Sequence, residues 1–97
     1  NLWSKAALAA KKENPNDPLG SYCRVEHGTP RRALARLVLD EYVANQLTQK
    51  KIDALVKKHW KLAVISLDED KRLNKVARAK MFETPEDRWA AASIEFP

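Results

Sequence analysis

The chain has 97 residues, of which 18 are basic and 13 acidic, and its formal net charge at pH 7 is +5. This length allows one domain, and a hydrophobic content of 44% argues against wholesale disorder. No apolar segment approaches the roughly 20 residues of a membrane span, and a single cysteine, Cys23, rules out an internal disulfide. We therefore expect one mainly α domain over residues 1–97, in an intracellular, reducing compartment: the cytosol, or an organelle interior if a leader has been removed.

The N-terminal third predicts a short helix followed by an irregular segment. Residues 1–13 place Trp3 and Leu8 on the apolar side of an amphipathic helix. Residues 14–29 contain prolines and both glycines, which predicts a long irregular arm. Because this arm also carries apolar side chains, we expect it to pack along its own domain or on a partner. Part of it, residues 22–26, could instead form a short strand.

Residues 30–97 are predicted to form a helical body, which brings the chain to about four to five helices. Thr29 followed by Pro30 is typical of a helix start, with Thr as the N-cap and Pro in the first helical position. Two interpretations fit the next segment. In one, the helix breaks near residues 45–48 and a second helix begins, giving a helical hairpin; in the other, residues 30–60 form one long helix. We favour the hairpin.

The C-terminal part begins with an ambiguous apolar run at residues 61–67, too short for periodicity to assign. Pairing with residues 22–26 would give a two-stranded element. Ser66 and Glu69 match a capping box, which predicts that a helix follows. Two helices are expected here, over residues 67–82 and 84–93, with inner faces formed by Leu73, Val76, Ala77, Met81, Trp89 and Ala92.

No motif in the chain indicates catalysis, a cofactor or a metal. Cys23 and His27 are four residues apart, but a second pair of ligands for a zinc site is lacking. The two glycines do not form a phosphate-binding loop. We therefore predict that the protein is not an enzyme and that it carries neither a cofactor nor a metal.

The charge pattern follows the predicted helices, with acids near their starts and bases near their ends. The helix dipole favours this arrangement, so much of the positive charge has a structural explanation. Arg31 and Arg32 are exceptions because they lie at a helix start. The candidates for contacts with an anion or a nucleic acid are bases at helical spacing: Arg31, Arg32, Arg36, Lys50, Lys57, Lys61, Lys71, Lys75 and Arg78.

These patterns favour a non-enzymatic accessory or structural subunit that docks into a larger assembly, with other protein subunits as partners. Large aromatic side chains dominate interface energetics, so the docking candidates are Trp3, Tyr22, Trp89 and Phe96. The alternative is a basic nucleic-acid-binding module that makes mainly phosphate contacts. Trp60, beside His59 and Lys61, is the one stacking candidate, and we expect its ring to close a helix end against the core instead.

Overall fold

The computed structural model describes residues 2–97 as five α-helices and three short strands. The chain is therefore mainly α with a small strand element, as the sequence predicts. In chain order, with a short 3₁₀ turn at Leu19–Ser21 before β2, the elements are β1 (Leu2–Trp3), α1 (Lys5–Glu13), β2 (Cys23–His27), α2 (Arg31–Val43), α3 (Gln49–His59), β3 (Leu62–Ser66), α4 (Leu67–Val76) and α5 (Pro85–Ala91).

The sheet has β3 in the centre, β1 on one side and β2 on the other. β1 runs parallel to β3, and β2 runs antiparallel to it, with Cys23 opposite Ser66 and His27 opposite Leu62. The prediction of an irregular arm over residues 14–29 was thus wrong for β2, and the two-stranded alternative was right. β1 adds a third strand that the sequence pattern did not reveal, because two residues carry no periodicity.

The first helix begins later than predicted, since Leu2 and Trp3 belong to the sheet. Ser4 is the N-cap of α1, and its hydroxyl accepts a hydrogen bond from the Ala7 amide at 3.0 Å. The same hydroxyl donates to Oε1 of Glu69 at 2.5 Å. Glu69 closes the predicted capping box of α4, so Ser4 joins the starts of α1 and α4.

The core lies on both faces of the sheet. On one face, Ala7 of α1 packs with Cys23 and Val64. On the opposite face, α4, α5 and the C-terminal segment cover the sheet, and the buried residues there are Ala63, Ile65, Leu73, Ala77, Trp89, Ala92 and Ile94.

The helical hairpin that we favoured from the sequence is confirmed. The helix breaks after Val43, Asn45 adopts a φ of 57°, and the Thr48 side chain caps α3. The hairpin connects β2 to β3. Its start differs from the prediction, because Pro30 is the N-cap of α2 and Oγ1 of Thr29 lies 3.0 Å from Nδ1 of His59 instead.

This hairpin makes the molecule elongated. The radius of gyration is 15.3 Å and the principal extents are 51 × 24 × 21 Å, whereas a compact domain of this length would have a radius of about 12–13 Å. At the base of the hairpin, the Gly28 amide donates to the Lys61 carbonyl at 2.8 Å. A Cβ on Gly28 would lie 2.3 Å from Cβ of Pro85, so α5 approaches the hairpin base closely.

The last two helices are shorter than predicted. α4 ends at Val76 rather than near residue 82, and Val76 is half-exposed, so its predicted inward orientation was wrong. Beyond it, Arg78 has a φ of 25°, and the buried Arg88 guanidinium donates to the carbonyls of Arg78 and Lys80. These bonds hold the turn that ends α4. None of the helices within residues 2–97 has the length and apolar character needed to cross a membrane.

Candidate functional site

The two sides of α2 differ in what they contact. Leu34 is buried, and Leu37 and Val38 are half-buried on the side toward the rest of the fold. On another side, the large apolar residues Leu39, Tyr42 and Val43 are 52%, 70% and 75% exposed. Their spacing is i, i+3, i+4, so they share one helix face.

Exposed residues extend this face toward the start of α2. Arg32, Ala35 and Arg36 precede Leu39 by seven, four and three residues and therefore lie on the same helix face. Within this face, positions 32, 35, 39 and 42 alternate at spacings of three and four residues, which is the repeat of a coiled-coil seam. We call this face the α2 stripe; it comprises Arg32, Ala35, Arg36, Leu39, Tyr42 and Val43. At 1.5 Å per residue, the stripe is about 17 Å long.

The α2 stripe has a basic half and an apolar half. Isolated exposed apolar residues are common on proteins, but adjacent large ones mark interaction surfaces. In the basic half, Nε of Arg36 lies 3.6 Å from Asp40, one turn further on, and both side chains are well exposed. A pair of this kind contributes little, so the arginines remain available to an acidic group outside the chain.

Polar contacts hold the hairpin in place at both of its ends. Near the tip, Nζ of Lys51 lies 3.0 Å from Glu41, which joins α3 to α2. At the base, two lysines bind the glutamates that flank the start of α5, in the pairs Lys58–Glu83 at 2.8 Å and Lys61–Glu86 at 2.9 Å. These lysines lower the pKa of both carboxyl groups, chiefly through the hydrogen bonds that they donate.

His59 lies in the same base and is buried. Burial lowers the pKa of its imidazole, and the neighbouring Lys58 lowers it further, while Glu83 acts in the opposite direction. A neutral imidazole is therefore favoured at pH 7, which suits its hydrogen bond with Thr29.

The four aromatic residues predicted for docking do not form one surface. Trp3 and Tyr22 pack, half-buried, on the α1 side of the sheet. Phe96 packs on Trp89 with ring centroids 5.1 Å apart on the other side. Trp89 itself is 1% exposed, so its prediction as a docking residue was wrong. Its ring completes the core of the chain, and its Nε1 donates to Glu26 at 2.7 Å.

The predicted cations also divide into separate groups. Arg31, Arg32, Arg36, Lys50 and Lys57 are exposed on the hairpin. Lys61 binds Glu86 below it, and Lys71 and Lys75 are exposed on α4. Arg78 lies beyond the end of α4, so the prediction that it continues the helical line of these two lysines was wrong.

Sequence reasoning missed the apolar half of the α2 stripe and the exposure of Trp60. Residues 39, 42 and 43 repeat the i, i+3, i+4 spacing of the inner residues 34, 37 and 38 five positions further on, and this second apolar face could have revealed the stripe. Trp60 was expected to close a helix end against the core, but its ring is 52% exposed, and that prediction was wrong.

The interior of the fold contains a thiol and an ion pair. Within residues 2–97, no group of three His, Cys, Asp or Glu residues could hold a metal ion. The Cys23 thiol is buried, and burial together with the charge of Glu69 raises its pKa. The buried pair of Glu26 and Arg88, 3.3 Å apart, links β2 to α5.

Comparisons with protein-family models, curated proteins and solved structures found no match to this chain.

Proposed function

We propose that this protein is a non-enzymatic accessory or structural subunit that docks into a larger assembly through the α2 stripe. The partner surface is an acidic, amphipathic helix of another protein. The observation that carries the proposal is the joint exposure of Leu39, Tyr42 and Val43 on a projecting hairpin.

The spacing of the stripe supports a helical partner. Residues that alternate at three and four positions pack their side chains between those of a second helix, and helix-in-groove recognition reads apolar anchors at the same spacing. About 17 Å of stripe corresponds to three helical turns. Burial of the exposed apolar side chains would favour the contact by about 25 cal/mol for each Å² removed from water, before the entropic cost of association is subtracted.

The charges support an acidic partner rather than a second copy of the chain. Arg32 and Arg36 occupy the basic half of the stripe, and Arg31 is beside them at the start of α2. Carboxylates on the partner helix would complement these cations and fix its direction along the stripe. Two copies of a chain with a net charge of +5 would repel each other.

A photo-crosslinking amino acid at position 42 tests this proposal in the cells that produce the protein. We expect one dominant adduct, whose crosslinked peptide is helical, amphipathic and rich in Asp and Glu. The matched control places the same amino acid at Lys50, which is exposed near the tip on α3 and outside the stripe. Equal crosslinking at both positions, or an adduct of position 42 with a second copy of this chain, would contradict the proposal.

Support for the alternative, a nucleic-acid-binding function, comes from a different part of the molecule. The supporting observation is that Trp60, which lies beside the sheet rather than on the α2 stripe, is half-exposed.

A further inference from the structure

The sheet face that packs against α1 is only partly covered. Cys23, Val25 and His27 of β2 share this face with Val64 and Leu62 of β3, because side chains alternate along each strand and paired residues lie on the same side. α1 covers the Cys23 end, where Ala7 packs. At the other end, Val25 is 54% exposed and His27 is only half-buried.

Trp60 extends the uncovered end of this face. The bond from the Gly28 amide to the Lys61 carbonyl continues the pairing of β2 and β3 by one step, and Trp60, the C-cap of α3, lies next to it just outside the strand. Its contact with His27 places the indole on the His27 side of the sheet. The Trp60 and His27 rings lie 6.0 Å apart at 59°. This contact is tilted and does not stack the two rings, and half of the Trp60 surface remains open to solvent.

Exposed basic residues lie close in the chain to the residues of this open face. At the covered end, Nζ of Lys11 lies 5.0 Å from the ring of Trp3. The exposed Lys57 precedes Trp60 by three residues, and the exposed Arg31 follows His27 by four. Glu83 and Glu86, by contrast, are bound by Lys58 and Lys61. Glu86 belongs to α5, which covers the other face of the sheet, so Lys61 is directed away from the open face.

We propose that the open sheet face around Trp60 and His27 binds single-stranded nucleic acid. A base stacks on the Trp60 indole, and neighbouring phosphates are drawn to the exposed cations Lys57 and Arg31. Exposed aromatic rings set among basic side chains are the combination that single-strand-binding surfaces use. A duplex keeps its bases stacked inside, so only an unpaired strand can offer a base to this ring.

A fluorescence titration of the full chain with an oligothymidylate tests the proposal. Trp89 is buried and Trp3 is half-buried, so Trp60 should dominate any change in tryptophan emission. We expect quenching as the oligonucleotide binds. Raising the salt concentration should weaken binding, with a log–log slope of about −0.7 for each phosphate neutralised.

Variants are compared by the anisotropy of a labelled oligothymidylate, because Trp60→Ala removes the fluorescent reporter. Stacking of one base corresponds to roughly a 5- to 150-fold loss of affinity in Trp60→Ala. Trp60→Leu keeps apolar bulk against the sheet and should lose affinity in the same range, which guards against misfolding of the alanine variant. Tyr42→Ala removes an exposed ring from the α2 stripe and should bind the oligonucleotide as the parent does.

Several results would overturn this inference. They are an absence of binding, unchanged affinity in Trp60→Leu with a folded circular dichroism spectrum, and equal affinity for a duplex of the same length. An equal loss in Tyr42→Ala would also overturn it, because binding would then not be specific to the sheet face. The position-42 crosslink depends on a different surface, so this inference and the proposed function can fail separately.

Discussion

The body around the sheet buries its large apolar side chains, whereas the projecting hairpin leaves several of its own exposed to solvent. In the body, Ala63, Ile65 and Trp89 are almost completely buried. In α2 and α3, both wholly inside the described residues, the buried side chains are Leu34 and His59. The body is thus stabilised by its own core, whereas the hairpin keeps large apolar side chains in solvent, where they can contribute to binding. Substitutions should therefore affect stability in the body and binding in the hairpin.

The largest effect on stability should come from Trp89→Ala. The substitution empties the centre of the core and removes the Nε1 donor from Glu26, and truncation of a buried aromatic typically costs about 3–5 kcal/mol. We expect a loss of this size in the free energy of unfolding, measured with urea. A loss below about 1 kcal/mol would mean that the body does not depend on this core.

Gly28→Ala should have the next largest effect on stability, because Gly28 lies at the junction between the body and the hairpin. The added Cβ would overlap Pro85, and overpacking of this kind costs about 1–3 kcal/mol. Gly20→Ala is the matched control, since no atom lies within 4 Å of a Cβ there. Equal melting temperatures for the two variants would show that α5 does not press on the hairpin base.

A smaller and pH-dependent effect should come from His59 at the same junction. Its pKa is lowered on folding, so the unfolded chain binds more protons between that lowered value and the ordinary value of 6.5. The contribution of His59 to the free energy of unfolding is therefore fully present above pH 6.5 and is lost as the pH falls toward the lowered pKa.

Urea unfolding measured between about pH 7.5 and 5 checks this dependence, with His59→Asn as the control that removes the titrating group. Glu83 and Glu86 have lowered pKa values and lose their contribution only at lower pH, below 4.5. A flat profile for the parent chain from pH 7.5 to 5 would contradict the role given to His59.

The smallest change in stability should come from Tyr42→Ala. The side chain is 70% exposed, and surface substitutions usually change the free energy of unfolding by no more than about 0.5 kcal/mol. Partner binding should nevertheless be lost, because an aromatic anchor disappears from the α2 stripe. A variant as destabilised as Trp89→Ala would contradict the distinction between body and hairpin, since the hairpin would then pack like the body.

Much of the local structure could be predicted from short sequence signals. The capping box of Ser66 and Glu69 forms as expected, and the Thr84 side chain caps α5 with Pro85 in its first turn. Thr48 caps α3, which resolves the two readings of residues 30–60 in favour of the hairpin. Each of these signals involves atoms within about one helical turn, so the sequence alone contains all the participants.

The candidate surfaces could be predicted only in part. The exposed arginines of α2 were identified from their spacing, but the apolar half of the α2 stripe was not, because periodicity defines a helix face without saying whether anything covers it. Trp60 shows the same limit. Its neighbours in sequence suggested a helix end closed by the core, whereas the structure leaves its ring half-exposed beside His27.

The sequence by itself indicated that the helices exist, the caps at Thr48, Ser66 and Thr84 and the break in the hairpin, because these depend on interactions between residues a few positions apart. Tertiary structure decided the third strand, the burial of Trp89 and the use of Thr29 at the hairpin base. Trp89 binds Glu26, which is 63 positions away, and Thr29 meets His59, which is 30 positions away. Contacts across such distances depend on the path of the whole chain, which local patterns do not encode.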